Sequence, residues 1–91
     1  MEPELLQHRL LEFVRARCAA DGVQARIDGA TPLLEEGWID SKRMVDLLAW
    51  LEQALGIEVP DTMLSGEHFR DAASIARAFC ALQARAARAA S

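Results

Sequence analysis

No long apolar run occurs in this sequence of 91 residues, and this absence argues against a membrane span. A helix that crosses a bilayer needs roughly 20 consecutive apolar residues, and the uncharged stretches here are far shorter. The first ten residues, MEPELLQHRL, also lack the basic start and apolar centre of a signal peptide. Both absences predict a cytoplasmic protein.

Basic charge is scarce as well. Ten Lys and Arg residues stand against fourteen Asp and Glu residues, which gives a net charge of −4. The three arginines after Ser74 have no acidic residue among them, so the body that precedes them is the acidic part. Because binding to a phosphate backbone needs a Lys/Arg surface, a nucleic acid is not an expected partner. With 52% hydrophobic and 26% charged residues, the composition predicts one globular domain over residues 1–91.

Cysteine and histidine are few and scattered. Cys18 and Cys80 form no C-x-x-C motif, and His8 and His68 stand alone, so we expect buried thiols and no metal site. A chain of this length buries only a modest core and has little room for a deep catalytic cavity. These features favour a small binding or carrier module, and we expect the protein not to be an enzyme.

Helical periodicity accounts for most of the chain, and no segment gives a confident strand signal. Asp21-Gly22 is a stop signal after the first periodic stretch, and Gly56 is placed as the C-cap of the second. We therefore predict an all-α bundle of four helices, three long and one short, with a long loop between the first two. The predicted helices are Pro3 to Ala20, Ser41 to Leu55, Asp61 to Leu64 and Asp71 to Arg88.

The second helix has a clear core stripe. Projection at 100° per residue places five apolar side chains within one arc, namely Met44, Leu47, Leu48, Leu51 and Leu55. The opposite side of the helix carries a mixed small, apolar and charged face, formed by Lys42, Val45, Asp46 and Ala49. This second face is expected to be exposed.

The segment Leu34-Glu-Glu-Gly-Trp-Ile-Asp-Ser41 is the most informative part of the sequence. It places the carboxyl of Asp40 and the hydroxyl of Ser41 where a loop passes into a helix. Helix N-termini favour negative charge, so this is a suitable position for an attached phosphate. The local alternative is that Asp40 or Ser41 is only an N-cap, a common role for both residue types.

The wider context favours the first interpretation. The run from Gly37 to Asp61, GWIDSKRMVDLLAWLEQALGIEVPD, resembles the acyl carrier protein superfamily, in which the prosthetic-group serine follows Asp and opens a helix ending in L-E-x-x-F/L-G-I-x-I/V-P-D. The resemblance extends from about Leu33 to Leu82, because Phe69 and the residues after it look like the family's entry to its final helix. The first helix fits by position only.

The resemblance implies a function for each residue of the motif. Ser41 would carry a covalently attached 4′-phosphopantetheine, donated from coenzyme A by a separate phosphopantetheinyl transferase. Asp40 would assist the transferase, cap the helix, or do both. The thiol of the arm would hold an acyl or aminoacyl group as a thioester, and partner enzymes would contact the face formed by Lys42, Val45, Asp46 and Ala49.

The local sequence around Ser41 looks more like that of free-standing D-alanyl, aminoacyl and peptidyl carriers than like that of fatty-acid carriers. This favours loading by an ATP-dependent adenylation enzyme and transfer to downstream acyl- or aminoacyl-processing enzymes. Lys42 and Arg43 depart from the family, which usually has Leu, Met or Ile after the serine, and like charges there would weaken docking onto basic enzyme patches. Two alternatives remain, a polyketide or fatty-acid type carrier and an unmodified helical interaction module of the same fold.

Overall fold

The computed structural model describes residues 1–90 as an all-helical chain, with no strand among them. Its elements are α1 (Pro3–Ala20), α2 (Ser41–Leu55), a single 3-10 turn (Asp61–Met63) and α3 (Ala72–Ala90). The radius of gyration is 12.8 Å. The predicted bounds of the first two helices are confirmed, whereas the last helix begins one residue later than predicted and ends at Ala90.

The predicted short fourth helix, Asp61 to Leu64, is not confirmed as an α-helix. The structure has only a 3-10 turn there, in which the amides of Met63 and Leu64 donate to carbonyls three residues earlier. Leu64 leaves helical geometry with φ −85° and ψ 63°, and a Ser-Gly pair follows, so the turn cannot propagate. Buried Met63 still fixes the turn to the core.

The hydrophobic core lies mainly between α1 and α3, which form the most extensive helix pair, with α2 packed alongside. Phe69 and Phe79 are almost fully buried in an edge-to-face contact, with their ring centroids 5.4 Å apart. Each helix contributes one apolar stripe, and Leu47, Leu51 and Leu55 are the buried residues of α2. Of the predicted stripe on α2, Met44 and Leu48 are only half-buried.

The long loop between α1 and α2 is fastened to both outer helices. Arg15 of α1 donates to the carbonyl of Ile27, and the Gly29 carbonyl accepts the amide of Ala73 at the start of α3. Leu33 is fully buried, and its amide donates to the carbonyl of Arg70. These contacts bring the loop back to the end of the bundle where α2 begins.

Asp71 caps α3. Its carboxylate accepts the amide of Ser74 at 2.7 Å and lies 3.4 Å from the Arg70 guanidinium. Burial alone would raise the pKa of Asp71, but the hydrogen bonds from Ser74 and the nearby Arg70 charge outweigh it and lower the pKa below the ordinary value of 3.8. The folded state therefore favours the ionised carboxylate.

This depressed pKa predicts an acid-dependent stability. A carboxylate with a lowered folded pKa stabilises the fold above its unfolded pKa of about 4, and the contribution is lost as pH falls through the folded pKa. Asp71→Asn keeps a capping oxygen but cannot titrate. We expect the variant to be less stable than wild type at about pH 6 and the difference to shrink at about pH 3, as measured by urea unfolding. A difference that does not change with pH would contradict this role.

Candidate functional site

The site is built where the loop enters α2, with Ser41 as the first helical residue. Asp40 precedes it in an extended conformation, with φ −107° and ψ −173°, and Ser41 is exposed. Its hydroxyl makes no side-chain hydrogen bond within residues 1–90. The structure thus presents an accessible hydroxyl at a helix N-terminus, where the unpaired amides favour an attached negative group.

Asp40 is the cap of this helix. Its Oδ1 accepts the amide of Arg43 at 2.9 Å. This hydrogen bond, more than the nearby Arg43 charge, lowers the pKa of Asp40, so the carboxylate beside Ser41 is ionised at neutral pH. The capping role considered from the sequence is therefore confirmed for Asp40, and it fixes the direction in which α2 starts.

The residues before Asp40 hold the loop against the core. Ile39 is 3% exposed, and its amide donates to the carbonyl of fully buried Leu33. Gly37 has φ +80°, a left-handed conformation that disfavours side chains with a Cβ, and it turns the chain between these anchors. Trp38 is half-buried against the core, and its Nε1 donates to Glu36 Oε1 at 3.0 Å. Ser41 is therefore exposed, while the loop that leads to it is held against the core.

The predicted partner face is only partly as expected. Lys42, Val45 and Ala49 are exposed, and 67% of the Val45 surface is accessible to solvent. Asp46 is half-buried instead and borders a groove between α1 and α2 with Phe13 among its other residues. The structure thus places three of the four residues on one open side of α2, and their role in partner binding stays a prediction.

Arg43 is a site residue whose role the sequence did not reveal. Its side chain points inward and is only 20% exposed, and its Nη2 lies 2.6 Å from Asp21 Oδ2 just after α1. The sequence alone groups it with Lys42, as a pair of like charges at the start of α2 that affects docking. A signal was available, because Arg43 lies four residues before buried Leu47 and therefore one turn above the core stripe.

A small apolar hollow lies beside the start of α2. It has a volume of about 180 Å³. Its apolar walls come from the loop, from α2 and from the segment after the 3-10 turn, namely Leu34, Met44, Leu48, Leu64 and Phe69. Met44 is three residues after Ser41, so the hollow lies within about one helical turn of the hydroxyl along the helix axis.

The other potentially reactive side chains, histidines and cysteines among them, lie away from Ser41. Within the described part of the chain no three His, Cys, Asp or Glu side chains come together as a possible metal site. Cys18 and Cys80 are buried free thiols, as expected, and burial raises the pKa of the Cys80 thiol. His8 lies on α1 beside Glu12, at 2.6 Å from its carboxylate. None of the helices in residues 1–90 is both long and apolar enough to span a membrane.

Fold and site together define a small helical domain that exposes one serine at the capped start of its second helix. The family model described as the phosphopantetheine attachment site matches residues 9–79, most of the chain, and the protein belongs to this family. Its domain carries a covalently attached 4′-phosphopantetheine, and such carriers work with phosphopantetheinyl transferases and acyl-processing enzymes. No curated protein matches the chain.

Proposed function

We propose that Ser41 is the residue that carries the 4′-phosphopantetheine and that the protein holds an acyl or aminoacyl group on that arm as a thioester. The observation that carries this proposal is the exposed Ser41 hydroxyl at the capped N-terminus of α2, inside the matched residues 9–79. The partial positive charge of a helix N-terminus stabilises a phosphodiester there. The residues at this position therefore fit the group.

In the attachment step Ser41 is a substrate. Its Oγ forms a bond to the phosphorus that bears pantetheine, the pyrophosphate bond of coenzyme A breaks, and adenosine 3′,5′-bisphosphate leaves with the electron pair. In this proposal the hydroxyl proton passes to a base of the transferase, and residues 21–55 contain no histidine that could accept it instead. The protein itself is proposed not to be an enzyme.

Asp40 has two compatible roles in this proposal. Its Oδ1 holds the first turn of α2 through the Arg43 amide, and its depressed pKa keeps the carboxylate charged at neutral pH. A charged carboxylate beside the hydroxyl is available to the transferase and its bound metal and coenzyme. Lys42, Val45 and Ala49, with the half-buried Asp46, form the face on α2 that partner enzymes contact.

The favoured loading enzyme is an ATP-dependent adenylation enzyme that transfers a small acyl or aminoacyl group to the thiol of the arm. Two features support this choice over a fatty-acid carrier. The sequence from Gly37 to Ser41 resembles that of aminoacyl carriers, and the apolar hollow of about 180 Å³ suits a small group better than a long chain. The unmodified interaction module is the alternative that survives if Ser41 accepts no arm.

Proteolytic mapping tests the attachment site. The full chain is incubated with coenzyme A and a broad-specificity phosphopantetheinyl transferase and then cleaved with trypsin. Cleavage after Arg26 and Lys42 releases a peptide of residues 27–42, in which Thr31 and Ser41 are the hydroxyl side chains. We expect the added mass on this peptide, with fragmentation that assigns it to Ser41. An unmodified peptide, or a mass assigned to Thr31, would refute the proposal.

A second experiment tests the loading enzyme and the partner face. Lys42 is exposed beside Ser41, and exposed charges act mainly on association rates. We expect Lys42→Glu to slow thioester formation by the adenylation enzyme severalfold at about 0.01 M salt and much less at about 0.5 M, where the charge is screened. Arg43 is left unchanged in this test because its side chain is partly buried.

Arg85→Glu is the matched control, since it reverses one exposed charge on α3 near the far end of the chain. Initial rates for wild type and both variants are compared at the two salt concentrations. Equal rates for Lys42→Glu and wild type at low salt would show that partner enzymes do not read this charge.

A further inference from the structure

Arg43 connects three pieces of backbone that meet at the start of α2. Its Nη2 donates to Asp21 Oδ2 at 2.6 Å, just after the end of α1. Its Nη1 makes a longer contact of 3.4 Å with the carbonyl of Trp38 in the loop. Its own amide is the group that Asp40 caps. One residue thus joins α1, the loop and the first turn of α2.

The stem of Arg43 is closely packed. Together with Trp38, Ile39 and Leu47 it borders a void of only about 10 Å³, at the lower limit of the volume that one water needs. Because such packing leaves little room for alternative side-chain positions, the guanidinium is held close to both of its acceptors, Asp21 Oδ2 and the Trp38 carbonyl. The hydrogen bond that Arg43 donates to the Asp21 carboxylate raises the pKa of Arg43 further above its already high value, so the side chain stays charged.

We propose that Arg43 and Asp21 are positioning residues for the modification of Ser41. The inference rests on the proposed function, because it assigns these residues a role in presenting that hydroxyl. The hydrogen bonds of Arg43 to Asp21 and to the Trp38 carbonyl hold the Trp38–Asp40 segment and the first turn of α2 against the end of α1. They therefore fix the position of the Ser41 Oγ. An error of about 1 Å in the position of a reacting group can cost on the order of 100-fold in rate.

The same geometry predicts a local effect rather than a general loss of stability. Asp21 is 56% exposed, so solvent weakens the contribution of the ion pair to folding. Loss of the Asp21–Arg43 ion pair should therefore increase the mobility of the segment that precedes Ser41, while the rest of the domain remains folded.

The test measures the rate of phosphopantetheine transfer to the full chain from coenzyme A by a broad-specificity transferase. Asp21→Asn and Arg43→Gln each remove the charge of one partner, and Arg43→Lys keeps a charged donor for Asp21 and the Trp38 carbonyl. We expect Asp21→Asn and Arg43→Gln each to lose about tenfold in kcat/KM. Arg43→Lys should retain most of the rate. Glu12→Gln is the control, because it removes one exposed acidic charge on α1, beside His8.

Amide exchange supplies a readout that a merely structural role would not move. In Asp21→Asn and Arg43→Gln the amide of Ile39, which donates to the Leu33 carbonyl, should exchange faster, while those of buried Leu51 and Phe79 keep their wild-type protection. Uniform loss of protection, or transfer in Arg43→Lys as slow as in Arg43→Gln, would overturn a positioning role. So would wild-type rates in Asp21→Asn and Arg43→Gln. Failure of wild type to accept the arm would instead refute the proposed function itself.

Discussion

Leu51→Ala should lower the free energy of unfolding by about 2–5 kcal/mol. Leu51 is fully buried in the middle of α2, within the cluster that includes Leu47, Phe69 and Ile75. Truncation removes apolar contacts and leaves a cavity that the surrounding helices can only partly fill. Small domains are stable by about 5–15 kcal/mol, so this single change would remove a large part of the total.

Val45→Ala on the same helix is the matched control. Val45 is 67% exposed, so its truncation should change stability by less than about 0.5 kcal/mol. Urea unfolding of wild type and the two variants, followed by circular dichroism, gives both values. A loss below about 0.5 kcal/mol for Leu51→Ala would mean that α2 does not present this stripe to the core.

Ser41→Ala should abolish attachment of phosphopantetheine completely, the largest functional effect expected from any single change. Alanine has no oxygen with which to form the phosphodiester. The fold should survive, because Ser41 is exposed and the helix is capped by Asp40 rather than by Ser41. Unfolding of this variant should therefore resemble that of wild type.

Ser65→Ala is the control for this variant. Ser65 is also exposed, but it lies in the segment between the 3-10 turn and α3. Incubation with a transferase and a fluorescently labelled coenzyme A should label Ser65→Ala as strongly as wild type. Ser41→Ala should acquire no fluorescence. Label on Ser41→Ala would move the attachment site to another residue.

The parts of the fold that could be predicted are those with local causes. The bounds of α2 follow from Asp40 as cap, from the period of Leu47, Leu51 and Leu55, and from Gly56, which adopts φ +66° and donates its amide to Glu52. Each signal lies within a few residues of the feature that it determines. For the same reason the placement of Ser41 at a helix start needed no knowledge of the remaining chain.

The parts that could not be predicted depend on contacts between distant segments. The ion pair between Asp21 and Arg43 spans 22 residues, and no local pattern indicates it. Phe13 lies on α1 at helical spacing from the buried Leu6 and Leu10, but it is itself only half-buried and stacks on Trp50, with their ring centroids 5.3 Å apart. Helical periodicity shows which side of a helix is apolar, but not which neighbour covers it.

Intact mass spectrometry of the wild-type chain gives the clearest decision on the carrier function. The protein is expressed without a transferase, then incubated with coenzyme A and a broad-specificity phosphopantetheinyl transferase, and weighed beside Ser41→Ala treated in the same way. Wild type should gain the mass of one phosphopantetheine, and Ser41→Ala should gain nothing. A wild-type mass that does not change, or an equal gain in Ser41→Ala, would contradict the assignment of Ser41 as the attachment residue.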